Sequence, residues 1–467
     1  MKTGICQTIT SCFRNLSPKL VEGSIIAAGV AANCYLASIP VAILSIGGYL
    51  AARIRLVQPI KQAISKNQII EPIQPEKSVL LRLDATTKLN TFDVPPQLEH
   101  ARNSCFIAST LQIIMNDPVI LKELTTAISR LLNRNSLFQE NAVGDDQLGI
   151  ILSIVDLMGK DSLSKSDLLI LCQNLQVLEE DGCPFNESSK ELLSLLETYK
   201  LIVSAKENGG VTKAQMHSMR ATLHRLKPES FSKDDAGPAD VYEAFITLTD
   251  AIFTDSKINR TLYKTRFVQS AQFSLHPDVG NSQTGAVNEK AEKNWGHFEL
   301  SLPENGSLQS LLKSQFDVPE NYKANFYALQ TEKREQFTVI NDSMKFDRAP
   351  KLLVINMKRF DYEGNYLSNP LEANEVLQLT DHLFKDRKGA CYKLAGVINY
   401  LPGHYVASVE NQVEEVYSCN DIEDGGKIKL STPKKMVNAA KTGYILHYRK
   451  IEDSFAEYEE KKMPNEF

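Results

Sequence analysis

Near residue 265 the spacing of the apolar residues changes from a helical period to short, turn-bounded runs, and the switch divides the chain into two kinds of structure. Before it, VILKELTTAISRLLNR, LGIILSIVDLMG, KELLSLLETYKLIVSA and PADVYEAFITLTDAIF read as amphipathic helices between polar loops. After it, FVQSAQFSL, HFELSLP, KLLVINMKRF, YKLAGVINYL, HYVASVENQ, VEEVYSCND and GYILHYRK are rich in β-branched and aromatic residues and separated by turns. A helical half followed by a strand-rich half predicts an α+β fold.

The N-terminal part obeys neither pattern. From Gly23 to Ala52 no residue is charged, in a chain of 467 residues of which 23% are charged. A membrane-spanning helix needs about 20 mostly apolar residues, so the run predicts one transmembrane or membrane-inserted helix; a buried core helix is the blander reading. Asn33, Pro40 and the pair Gly47-Gly48 would allow a kink or a re-entrant bend. Pro59, Pro72, Pro75, Pro95 and Pro96 then break any long helix. The expected organisation is an N-terminal segment over 1–22, the membrane segment over 23–52, a linker over 53–95, a main domain over 96–450 and a polar tail over 451–467. The net charge of −5 gives no electrostatic footprint for nucleic acid.

The eight cysteines are Cys6, Cys12, Cys34, Cys105, Cys172, Cys183, Cys391 and Cys419, and no two form a C-x-x-C pair. That denies a zinc ribbon its ligands, and reduced thiols are expected. In SCFIASTLQIIMN, residues 104–116, Ile107, Leu111 and Ile114 share one helical face, Asn103 or Ser104 can cap the start, and Pro118 follows the end. Cys105 thus opens a helix, where the partial positive charge of the N-terminus stabilises a thiolate; an inert buried thiol fits the same pattern. Gly403-His404-Tyr405 begins a strand and Asn420-Asp421 follows the next. Adjacent antiparallel strands would set His404 beside Asn420, whose amide can accept from the imidazole and hold it toward a thiol. The plainer alternative is a solvent-facing His beside a turn. Cysteine, distant histidine and a nearby Asn or Asp are the minimum set for thiol acyl transfer.

These residues resemble the Cys and His boxes of the ubiquitin-specific protease family, of the form G-N-T-C-(F/Y)-x-N-S-x-L-Q and Y-x-L-x-x-V…G-H-Y-x-A. Here they read R-N-S-C-F-I-A-S-T-L-Q at 102–112 and Y-K-L-A-G-V-I-N-Y-L-P-G-H-Y-V-A at 392–407. Three further blocks follow in family order: the helix around Asp240, Glu243 and Phe245, the strand from Leu353 to Phe360 ending in M-K-R-F, and the closing strand Gly443–Tyr448. The resemblance implies a papain-like cysteine peptidase fold of thumb, palm and fingers, and a deubiquitinating thiol hydrolase that uses no cofactor. Its partner would be ubiquitin or ubiquitin conjugates, presented on the cytosolic side of a membrane. It makes Cys105 the nucleophile, His404 the base and then acid, and Asn420 the residue orienting His404, with Asp421 able to share or replace that role. Asp240, Glu243 and Tyr405 match positions lining the channel for the ubiquitin tail, Leu-Arg-Leu-Arg-Gly-Gly, beside which acidic side chains make electrostatic sense.

Departures from the family pattern set further expectations. Where the family often has an oxyanion-donating Asn, five residues before the nucleophile, this chain has His100, which can still donate alongside backbone N–H groups. Arg102 stands where the family has Gly, and the loop Asn399–Pro402 lacks its H-x-G. The cysteine pairs that hold structural zinc in many members are absent, after Tyr327 and near 270–285, so no metal is expected. A catalytically dead, membrane-tethered ubiquitin-binding module and a protease of a ubiquitin-like modifier are the competing readings. A membrane segment joined to a divergent domain would also suit an effector delivered into a host cell.

Overall fold

The computed structural model describes residues 81–452, apart from 134–146, 234–238, 255–259, 272–284, 303–305, 317–321, 328–333, 385, 387 and 424–425. The expected membrane segment over 23–52 lies outside the described residues, and among those described no helix is long and apolar enough to cross a membrane. Among the described residues the α-helices are, in chain order, α1 (Cys105–Asn116), α2 (Pro118–Leu132), α3 (Leu148–Met158), α4 (Lys165–Glu180), α5 (Glu187–Asn208), α6 (Lys213–Leu226), α7 (Val241–Phe253), α8 (Leu308–Phe316) and α9 (Pro433–Ala440).

The chain divides into two compact units. The smaller contains Leu132–Ser189, in which α3 packs on α4. A capping box starts α4: the Ser164 hydroxyl accepts from the Asp167 N–H while the Asp167 carboxylate accepts from the Ser164 N–H.

The larger unit joins Leu83–Leu131 to Lys190 and beyond. Every α1 residue after Cys105 is buried. A helix apolar on all sides belongs in a core, and α1 packs against α6, α7 and the main sheet. The strands, in chain order, are β1 (Arg260–Ala271), β2 (Gly285–Asn294), β3 (His297–Ser301), β4 (Tyr322–Tyr327), β5 (Arg334–Phe346), β6 (Leu352–Lys358), β7 (Val376–Leu379), β8 (Ala390–Leu401), β9 (His404–Glu410), β10 (Val416–Cys419), β11 (Ile428–Leu430) and β12 (Gly443–Glu452). The main sheet runs β11-β10-β9-β8-β12-β6-β3, with β7 beside β8. All its pairs are antiparallel except β6 with β3. Leu352–Met357 of β6 are buried without interruption, the mark of a strand covered on both faces. Four strands, in the order β2-β1-β5-β4, form a separate antiparallel sheet.

Residues 83–95, the end of the expected linker, belong to the larger unit. Phe92 is buried beneath the Lys206 ammonium, Thr91 Oγ donates to Gln412, and Pro96 O accepts from the buried Gln112 amide of α1. The positions expected of the zinc-binding pairs fall largely outside the described residues.

Candidate active site

The approach to Cys105 is shaped before the helix begins. Asn103 takes a left-handed φ of 53°, a conformation Asn tolerates better than most residues. Its carbonyl accepts from Arg220, a buried guanidinium of α6 that also lies 5.1 Å over the Phe106 ring. Ser104 holds the N-cap position, but its side chain does not cap the helix. Its hydroxyl instead donates to Ala101 O at 2.7 Å and accepts from the Ala101 N–H at 3.0 Å. The expected Ser104 cap is thus replaced by a local turn.

Cys105 is half-buried. Burial pushes its pKa up, the Tyr405 backbone opposes that rise, Asp421 reinforces it, and the amides of Phe106 and Cys105 itself favour the anion. A neutral resting thiol that ionises by handing its proton to a neighbour fits this balance.

His404 is delivered by a two-residue hairpin. Leu401 pairs with His404, and Pro402-Gly403 make the corner between β8 and β9. Gly403 has φ +75°, as the second corner of a type II turn requires after Pro. Its N–H donates to the Tyr400 hydroxyl at 3.1 Å. The imidazole Nε2 lies 2.9 Å from Asn420 Oδ1 and 3.5 Å from Asp421 Oδ1. Its Nδ1 is buried with no hydrogen-bond partner. With Nε2 carrying the proton toward Asn420, Nδ1 presents a lone pair, the form a base requires.

Asn420 and Asp421 both reach His404 because β10 ends at Cys419 and the chain bends there, so alternation no longer sends neighbours to opposite faces. The bend is pinned by Gly426 at φ +82°, where an added Cβ would stand 2.8 Å from Leu98 O. That close approach sets Gly426 against Leu98. It brings His100 to Asp421, Nδ1 to Oδ2 at 2.8 Å. The expected oxyanion donor therefore has one ring nitrogen engaged with the carboxylate.

The residues matched to the tail channel gather around the start of α7 and the first residues of β9 and β12. Asp240 caps α7, accepting from the Glu243 N–H at 3.0 Å, and its other oxygen accepts from the Tyr444 hydroxyl at 2.5 Å. Glu243 pairs with Lys227 and accepts from Ser230. Tyr405 is buried; burial raises its pKa, helped by Asp240 and Cys105, so the phenol stays neutral. It packs between Tyr400, at 5.4 Å, and Tyr444, at 6.0 Å. Sequence reasoning missed Arg220, Lys227, Tyr400 and Tyr444, as well as the buried pair Asp117 and His447 and the half-buried Arg449 at the end of α1. Only His447 carried a signal, standing where the family's closing strand has Phe.

A thiol at an uncapped helix start, on a helix packed against the strand of an amide-held imidazole, can carry acyl transfer. The family model for ubiquitin carboxyl-terminal hydrolase matches residues 97–448, and the chain belongs to that family. No curated protein matches the sequence. Among solved structures, the chain is similar to one of the SAGA DUB module Ubp8/Sgf11/Sus1/Sgf73 bound to monoubiquitin, at 11% identity, covering 87% of this chain and 76% of that one, with a TM-score of 0.40. It is also similar to that module bound to ubiquitin aldehyde, at 12% identity, 87% and 76% coverage and a TM-score of 0.40. A yeast SAGA module with mutant Sgf73 gives 12% identity, 79% and 71% coverage and a TM-score of 0.38.

Proposed function

We propose that the chain is a deubiquitinating thiol hydrolase that cleaves the isopeptide bond after the C-terminal glycine of ubiquitin. His404 Nδ1 takes the Cys105 proton, and the thiolate attacks the glycine carbonyl carbon. Backbone N–H groups at the start of α1 receive the oxyanion. The protonated Nδ1 then gives its proton to the departing lysine amine, which leaves a Cys105 thioester. A water that loses its proton to Nδ1 hydrolyses this thioester and restores the thiol. Asn420 holds the ring, and Asp421 supplies negative charge for the imidazolium. Asp240, Glu243 and Tyr405 line the path of the tail, where a tail arginine would displace the Lys227 ammonium from Glu243.

The observation that carries this reading is the His404 ring, tied at Nε2 and left with a buried, unpartnered Nδ1. The test is a ubiquitin probe with a C-terminal electrophile: wild type is expected to label and Cys105→Ala not. Labelling that survives the substitution would move the nucleophile elsewhere. Labelling only by probes of a ubiquitin-like modifier would change the substrate class.

The finer organisation is part of the same proposal. Residues 96–450 form a zinc-free catalytic domain, and 23–52 anchor it in a membrane with that domain on the cytosolic face, where ubiquitin conjugates are. The full chain should then resist carbonate extraction. Its release into the supernatant, or protection of 98–450 from protease in sealed vesicles, would overturn the anchoring or its orientation.

A further inference from the structure

Asp421 is 7% exposed, and its two oxygens face two different imidazoles. Oδ1 lies 3.5 Å from His404 Nε2 with no hydrogen bond of its own, and Oδ2 is bonded to His100 Nδ1 at 2.8 Å. A short acidic side chain on a bend has rotamers that would turn it away, and only its partners decide between them. We propose that His100 is a positioning residue, which acts through Asp421: its Nδ1–H fixes the carboxylate so that the free oxygen stays against His404. The inference rests on the function proposed above and reassigns His100 from oxyanion donor to support of the base.

The surroundings favour this role. The segment carrying His100 and the loop carrying Asp421 touch where Gly426 admits Leu98 O, so their separation is set by backbone packing. Glu423, two residues along the same loop, is directed elsewhere, toward Lys429 at 2.6 Å and toward the Asn420 amide at 3.4 Å. Cys105 feels the Asp421 charge, which raises its pKa. The carboxylate therefore serves catalysis only if held closest to the imidazolium, and holding it there is the task assigned to His100.

The two roles for His100 separate in one experiment on the full chain. Alkylation of Cys105 by iodoacetamide, followed peptide by peptide with mass spectrometry, needs the thiolate but forms no oxyanion. Hydrolysis of a ubiquitin amide needs both. If His100 acts through Asp421, His100→Ala should slow alkylation at neutral pH and lower kcat, each about fivefold, the worth of one hydrogen bond, with KM unchanged. His100→Asn, whose Nδ2 can occupy the place of the imidazole Nδ1, should restore both rates. In an Asp421→Ala background His100→Ala should change nothing further. Slowed hydrolysis with unchanged alkylation would make His100 an oxyanion donor and overturn the proposal, as would effects that multiply in the Asp421→Ala background. Should His100→Ala fail to fold, His100→Leu, which fills the space without a donor, decides in its place: slowed alkylation upholds the proposal, and alkylation at the wild-type rate overturns it. Wild type that alkylates readily at Cys105 but leaves ubiquitin substrates intact would refute the proposed function without touching the positioning role.

Discussion

Asp117 is a buried charge whose removal should be costly. It is 1% exposed, at the junction where α1 ends and α2 begins. Oδ1 accepts from the N–H groups of Val119 at 2.8 Å and Ile120 at 3.0 Å, and so caps α2. Oδ2 accepts from His447 Nε2 at 2.8 Å and Arg449 Nε at 3.2 Å, which ties the far end of α1 to β12. Losing a cap costs about 1 kcal/mol, stranding the buried His447 costs about 1–3 kcal/mol, and the partly exposed Arg449 adds about 1 kcal/mol. Asp117→Ala should therefore lose about 3–5 kcal/mol, the range for breaking a buried ion pair. Asp117→Asn keeps the cap and should lose about 1 kcal/mol less. Burial opposes ionisation of Asp117, but the Arg449 charge and then the His447 hydrogen bond outweigh it and hold its pKa below the usual carboxylate range. A depressed folded pKa means stabilisation that is complete above the unfolded value, about 3.9, and lost as pH falls through the folded one. Wild type should thus lose its advantage over Asp117→Asn only below about pH 4. Trp295, the single and buried tryptophan, reports urea unfolding by fluorescence. Two variants within about 1 kcal/mol of wild type, or a wild-type advantage unchanged in acid, would refute the reasoning.

Asn420→Ala should slow hydrolysis of a ubiquitin amide by up to about 10²-fold, less than His404→Ala, because it removes one positioned hydrogen bond. Asp421→Ala, at the longer distance, should cost less, and the double variant more than either; a more damaging Asp421→Ala would make Asp421 the residue that holds His404. Since the chain has no C-x-x-C pair, activity should survive chelation and elemental analysis should find no stoichiometric zinc. One zinc per chain would sink that expectation.

The Cys helix was legible to within a residue, because an apolar period between a polar start and Pro118 leaves few choices. The His404 hairpin was legible for a similar reason, a Pro-Gly corner between two β-branched runs. The strand Gly285–Asn294 was not, since GAVNEKAEKN has the composition of a helix and is held extended by pairing with β1. The helices Leu308–Phe316 and Pro433–Ala440 went unread because each is a short segment among strands. At the site, the members of the constellation could be named, but their partners could not. The bonds His100–Asp421 and Asp117–His447 join residues 321 and 330 positions apart, a separation that no local pattern encodes.

The M-K-R-F block shows what such a motif does physically. Arg359 is fully buried, and its guanidinium donates to four carbonyl oxygens, those of Gly443, Leu367, Asn369 and Lys441. Carbonyls of two separate segments thus converge on one cation, and each segment carries a ring of the site's aromatic wall. Tyr366 and Tyr444 meet the Phe360 ring at 5.6 Å and 5.8 Å, and Tyr400 meets it at 5.1 Å. From that wall two hydroxyls reach the site: Tyr400 receives the Gly403 N–H at the turn before His404, and Tyr444 donates to Asp240 at the start of α7. Lysine in place of Arg359 would present three donors from a single nitrogen where the structure uses three nitrogens on one plane. His404 and Asp240 depend on the same buried cation, although neither touches it.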